Sequence, residues 1–217
     1  DNKMEFSLGI VFLMMLKHVC ETMEEPRGPR HRLMDALFGN NSYTLTRDII
    51  PLSPKNSVIR VYFDFDVYQI LKLDEKHQIM NLNLWVRMKW RNPFLKWNPD
   101  DYGNITKLTV NKDKVWFPDL TLWNRAVNDA SIYQRMDTRI AIEHDGECSW
   151  YAPVTTSSTC AIRIKYFPFD NQTCGLSFGS WLHTTKDLVF VPCERTCASM
   201  KYLKPNSEWA LDQTYGE

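Results

Sequence analysis

Two alternating runs joined by a short polar turn constrain this chain more than any other feature. In residues 57–73, Val58, Arg60, Tyr62 and Asp64 oppose Ile59, Val61, Phe63 and Phe65. Asp74-Glu75-Lys76-His77 then breaks the pattern, and a second run covers residues 78–90. Successive strand side chains point to opposite faces, so the pattern predicts a long hairpin with one buried and one wet face. Further strand-like runs lie at 107–110, 121–123, 132–142, 149–151, 161–165, 174–181 and 188–191. Turn residues separate them at Asn98-Pro99, Asn111-Lys112-Asp113, His144-Asp145-Gly146 and Pro205-Asn206. One helix is expected over 30–38, where Leu33, Met34 and Leu37 share a stripe and Gly39 is the stop. Many strands with almost no helix predict an all-β sandwich.

Lys plus Arg and Asp plus Glu are both 26, so the formal net charge is zero. That balance argues against a polybasic nucleic-acid arm, and no nucleic-acid partner is expected. With eight Gly in 217 residues, no Gly-rich phosphate loop is present. Enzyme chemistry would need a nucleophile with its base, paired carboxylates or a metal cluster. His144-Asp145 followed by Cys148 offers a Cys–His pair, but in a turn and without a third group. Asp100-Asp101 and Asp64/Asp66 read as loop and strand-face charges. Neither catalysis nor a cofactor is expected.

Residues 8–16, LGIVFLMML, are apolar and uncharged but too short to span a bilayer as a helix, which takes about 20 residues. They match the h-region of a secretory signal, placed at residues 4–23. Export makes the cysteines disulfide candidates before metal ligands. Cys20 departs with the signal. Cys160 and Cys174 enclose 13 residues, a loop whose closure contributes about 3 kcal/mol in the chain-entropy model. Cys193 and Cys197 form a C-x3-C pair suited to a small local loop, and a zinc site adding His183 is the weaker reading. Cys148 is left as a free buried thiol or an intermolecular partner. Sequons at Asn40, Asn104 and Asn171 fit the same compartment as glycosylation sites.

The stretch from Cys160 to Cys174, with Phe167-Pro168-Phe169-Asp170 inside it, resembles the signature loop of the Cys-loop ligand-gated ion channels. Leu84-Trp85-Val86-Arg87-Met88-Lys89-Trp90, Trp116-Phe117-Pro118-Asp119, Leu122-Trp123-Asn124, Phe178-Gly179-Ser180-Trp181 and Ser207-Glu208-Trp209 follow in family order. The resemblance covers about residues 30–217 and is nearest to the nicotinic acetylcholine receptors and the secreted acetylcholine-binding proteins. It implies an immunoglobulin-like β-sandwich with a short N-terminal α-helix, over residues 26–217 and incomplete at the C-terminus. It also implies five copies in a ring, homo- or heteromeric, with a small-molecule neurotransmitter held between neighbours. A transmembrane domain of the same full-length chain would place it on the extracellular face of the cell membrane. A secreted binding protein without a pore is the alternative.

Ring faces attract cations through the π quadrupole, so several aromatics can replace the hydration shell of an amine. By the resemblance, Trp181 and Trp123 line the principal side of the site. Trp123 stands where the nicotinic pattern usually has Tyr. Trp85, Arg87, Arg139, Ala141, Ser149 and Tyr151 line the complementary side. Trp90, Trp116 and Trp209 read as packing. Arg87 and Arg139 leave the ligand open between a cationic amine and a zwitterionic amino acid, unless each bonds to an acid or lies on the rim. The resemblance also implies a gating surface of Asp74 and Glu75 in the hairpin turn and Phe167, Pro168 and Phe169 in the loop. A cell-adhesion sandwich, the rival from fold alone, gives no reason for Trp85, Trp123 and Trp181 beside a Phe-Pro-Phe loop.

Overall fold

The computed structural model describes residues 28–39, 47–53, 57–126, 138–192 and 198–214. The expected signal at 4–23, Asn40, Cys193 and Cys197 lie outside them. Helix α1 is Pro29–Phe38, begun by Pro29 in its first turn and burying Leu33 and Leu37. The hairpin forms as the alternation requires, from β1 (Ile59–Asp74) and β2 (Ile79–Arg91). There follow β3 (Lys107–Asn111), β4 (Thr121–Leu122), β5 (Arg139–Glu143), β6 (Glu147–Thr159), β7 (Phe178–Gly179), β8 (Leu188–Pro192) and β9 (Ala198–Ser199).

The large sheet runs β3-β5-β6-β2-β1-β8, with β9 also on β1; β4 and β7 form a second, small sheet. The pairs β1–β2, β2–β6, β5–β6 and β3–β5 are antiparallel, whereas β8 and β9 join β1 in parallel. Phe178 of β7 packs on Phe63 and Phe65 of β1, with ring centroids at 5.0 and 5.7 Å, and so ties one sheet to the other. Among the described residues the architecture is therefore an all-β sandwich with one short α-helix.

Inward positions of the hairpin, among them Val61, Leu84, Val86, Met88 and Trp90, form the core with Ile140, Ile142 and Trp150. Trp116 and Phe117 enter this core edge-on to Trp90, and Phe117 also meets Trp150 at 5.2 Å. Trp90 and Trp116 are packing residues, as expected, and Trp209 is half-buried.

Three sequence expectations change. The strand expected at 149–151 extends over 147–159, because Thr and Ser continue the alternation that apolar residues begin. No strand forms at 161–165. There the Arg163 N–H donates to Gln172 Oε1 and Gln172 Nε2 donates to the Arg163 carbonyl, so one side chain replaces a partner strand. In 174–181 only Phe178–Gly179 pairs, with β4.

The β5–β6 turn needs Gly146, at φ 88°, where an added Cβ would lie 2.4 Å from the Asn92 carbonyl oxygen. Cys160 and Cys174 are disulfide-bonded, with Cα atoms 5.0 Å apart. Cys148 is a free buried thiol, and burial pushes its pKa up to about 12. The unfolded chain therefore loses this proton first as pH rises. Stability is expected to fall from the ordinary thiol range, about 8.5, up to about 12, and Cys148→Ala should flatten that slope in pH-dependent denaturation. Iodoacetamide should label Cys148 at pH 8 only in denaturant. Labelling of the folded protein would show the thiol to be open.

Candidate ligand-binding site

Two aromatic surfaces emerge, on different parts of the chain. The first belongs to the outer face of the large sheet. Pairing of β2 with β6 sets Trp85 opposite Pro153 and Arg87 opposite Tyr151. Trp85, Val86, Arg87, Tyr151, Ala152 and Pro153 line a cavity of about 280 Å³. Trp85 stacks on Tyr68 at 4.8 Å and 17°, and Tyr202 leans on it at 5.2 Å. Tyr68 sits at an irregularity in β1 between Val67 and Gln69, and Tyr202 is held nearby through the Lys204 N–H donating to the Tyr68 carbonyl at 2.8 Å. Sequence reasoning passed over both tyrosines, since neither belongs to a recognised motif.

Arg87 does not stand free on this face. Its Nη1 and Nη2 donate to Asp66 Oδ2 and Oδ1 at 2.5 and 3.0 Å, and its Nε donates to Asp64. These bonds, to Asp66 first, outweigh burial and hold the guanidinium further from deprotonation than usual. Asp66 is only 2% exposed. The strand-face reading of Asp64 and Asp66 holds, but they are ion-pair partners, not solvated charges. Arg139 is exposed at the start of β5, beside Ala141. Ser149 is buried, in register with Lys89 and Ala141, and is not among the residues lining the cavity.

The second surface follows β7. Trp181 and Trp123 are 75% and 61% exposed. The Trp123 indole packs against Gly179, whose position a side chain could not share: an added Cβ would sit 2.8 Å from Trp123 Cζ2. Asp119 organises the loop beneath Trp181. Its Oδ2 accepts from the backbone N–H groups of Trp181 and Leu182, both at 2.7 Å, and from Ser180 Oγ at 3.0 Å. The core packing of Trp116 and Phe117 fixes where Asp119 stands. The Trp-x-Pro-Asp element thus links the core to the site.

At one end of the large sheet two loops meet. The Cys160 N–H donates to the Gln78 carbonyl at 2.8 Å, joining the disulfide loop to the hairpin turn. In the turn, Asp74 accepts from Lys72 Nζ at 2.6 Å and the His77 amide at 3.0 Å, which hold its carboxyl well below the usual range. Glu75, Phe167, Pro168 and Phe169 are exposed there, Phe169 at 91%. Asn104 and Asn171 are exposed as well. Among the described residues no group of three or more His, Cys, Asp or Glu side chains could hold a metal ion.

The described residues thus form a disulfide-closed sandwich that displays two separate aromatic surfaces. The family described as the neurotransmitter-gated ion-channel ligand binding domain matches residues 30–216, and the chain belongs to it. It is 34% identical over 205 residues to the neuronal acetylcholine receptor subunit alpha-10 of Homo sapiens, covering 94% of this chain and 44% of that protein. With the human neuronal acetylcholine receptor subunit alpha-3 it shares 34% identity over 211 residues, 96% of this chain and 39% of that one. With the alpha-9 subunit of Gallus gallus it shares 32% over 184 residues, 84% and 37%. The chain thus spans less than half the length of these curated relatives.

Proposed function

We propose that this domain binds a cationic amine of the acetylcholine type between adjoining subunits of a pentameric channel, on the extracellular face, and that binding gates ion flow. The observation that carries this is the division of the aromatics. Trp123 and Trp181 project from the small-sheet side, Trp85 and Tyr151 from the outer face of the large sheet, and neither group encloses a ligand alone. A neighbouring copy in a ring supplies the missing half. The receptors named above, all acetylcholine receptor subunits, support the ligand class. In this reading Asp74, Glu75 and the Phe167-Pro168-Phe169 tip pass the binding signal to a transmembrane domain. Differential affinity for two ring conformations supplies the driving force. Arg139 lies on the rim of the complementary side. Cys193–Cys197 is a second disulfide, and Asn40, Asn104 and Asn171 bear glycans.

Mixed assembly tests the division. Full-length receptors carrying Trp181→Ala or Trp85→Ala alone should bind acetylcholine about thirty-fold more weakly, the loss of about 2 kcal/mol from one desolvated cation–π contact. Co-expressed, the two variants form some junctions with both indoles intact, and a fraction of sites should recover wild-type affinity. Radioligand binding without such recovery would place the site within one subunit.

A further inference from the structure

Arg87 raises a question that the aromatic surfaces do not answer: why a guanidinium lines a cavity suited to a cation. Its neighbours on β2 frame the answer. Lys89 meets Glu147 at 3.4 Å, and Arg91 meets Asp145. Arg87 meets two acids, Asp64 and Asp66, both across the β1–β2 pairing. One guanidinium against two carboxylates leaves this cluster formally one charge negative.

The geometry matters as much as the charge. A guanidinium grips a carboxylate with two parallel N–H bonds, along its Nη1/Nη2 edge or its Nε edge. Asp66 occupies the first edge with both of its oxygens, and Asp64 occupies Nε. An incoming carboxylate would have to displace one of these and would also meet the residual negative charge. An incoming ammonium meets that charge favourably, with Trp85 and Tyr151 on the same cavity wall. The clamp is firm because Asp66 is buried and both acids stand on one strand, two residues apart, as the pleat requires to face Arg87 together.

We propose that Asp64 and Asp66, by occupying Arg87, are specificity-determining residues that select amines without a carboxylate and reject amino-acid zwitterions. This rests on the amine reading above and narrows it. Arg87 is here a positioned countercharge, not a ligand carboxylate receptor.

Choline and betaine make the matched pair of probes, since both carry a trimethylammonium group and betaine has a carboxylate where choline has a hydroxymethyl. Each is titrated against labelled acetylcholine on the full-length receptor assembled in cells. The wild type should prefer choline by at least about ten-fold, the scale of one charge felt across a partly solvated cavity. Asp64→Asn removes the negative charge and leaves Nε only a neutral acceptor that an incoming carboxylate can displace, and should shrink that preference about ten-fold through tighter betaine binding. Asp66→Asn carries the same expectation if Asp64→Asn does not assemble. An unchanged preference in an assembled variant overturns the proposal, and so does failure of both variants to assemble, because the acids would then be structural. The amine reading survives either result if Trp85→Ala still weakens choline. A wild type that binds neither probe sinks both.

Discussion

Asp119→Ala is expected to weaken acetylcholine binding by about a hundred-fold although, in the proposed site, Asp119 touches no ligand. Its Oδ2 accepts two backbone N–H groups and a hydroxyl, and together these set the turn that presents Trp181, while Oδ1 accepts from Thr121 Oγ1. Bonds to a charged acceptor are worth about 1.5–3 kcal/mol each when buried. This loop is partly exposed and the three bonds are not additive, so about 3 kcal/mol is the expected loss, which corresponds to about a hundred-fold in affinity. Asp119→Asn keeps an acceptor oxygen and should lose less than half of that. Thermal unfolding and acetylcholine binding on the same full-length variants separate the two consequences. An Asp119→Ala receptor that binds as the wild type does would show that the turn is held by Trp116 and Phe117 alone.

Arg87→Ala should destabilise the folded domain by about 3 kcal/mol, because it strands Asp66 in a buried position beside Asp64. The estimate sits at the low end for breaking a buried pair, since the Arg87 side chain is itself 33% exposed and water can relieve part of the cost. Arg87→Lys retains the charge but not the two-edged fork, and should recover about half of the loss. Chemical denaturation monitored by Trp fluorescence reads both variants. Equal stability of Arg87→Ala and wild type would mean that Asp66 finds water or another donor.

The sequence made the sandwich legible wherever one face was apolar and the other polar. The hairpin, α1 and the His144-Asp145-Gly146 turn follow from alternation, helical spacing and turn chemistry. The ion-pair cluster did not, and the reason is geometric. Two irregularities in β1, at Val67/Gln69 and Ile70/Lys72, shift the register. Counting back from the turn without them sets Asp66 opposite Arg87, where the structure has Asp64. Each irregularity reverses the faces and the second restores them, so the alternation looks unbroken while the partners change. The disulfide loop misled in the opposite way. Its alternating Ile162, Arg163, Ile164 and Lys165 read as a strand, but the Arg163 backbone bonds to the Gln172 side chain within the loop instead of to a strand. Trp85, Trp123 and Trp181 were visible through their motifs. Tyr68 and Tyr202 were not, because long-range folding, and no local pattern, brings them to Trp85.

The bare backbone of Gly179 beneath the Trp123 indole makes position 179 a mechanical adjuster. A methyl group there would act as a wedge, tipping the ring without adding or deleting any polar or charged group. In the proposed site, tuning by shape alone is thus available at a residue with no side chain of its own.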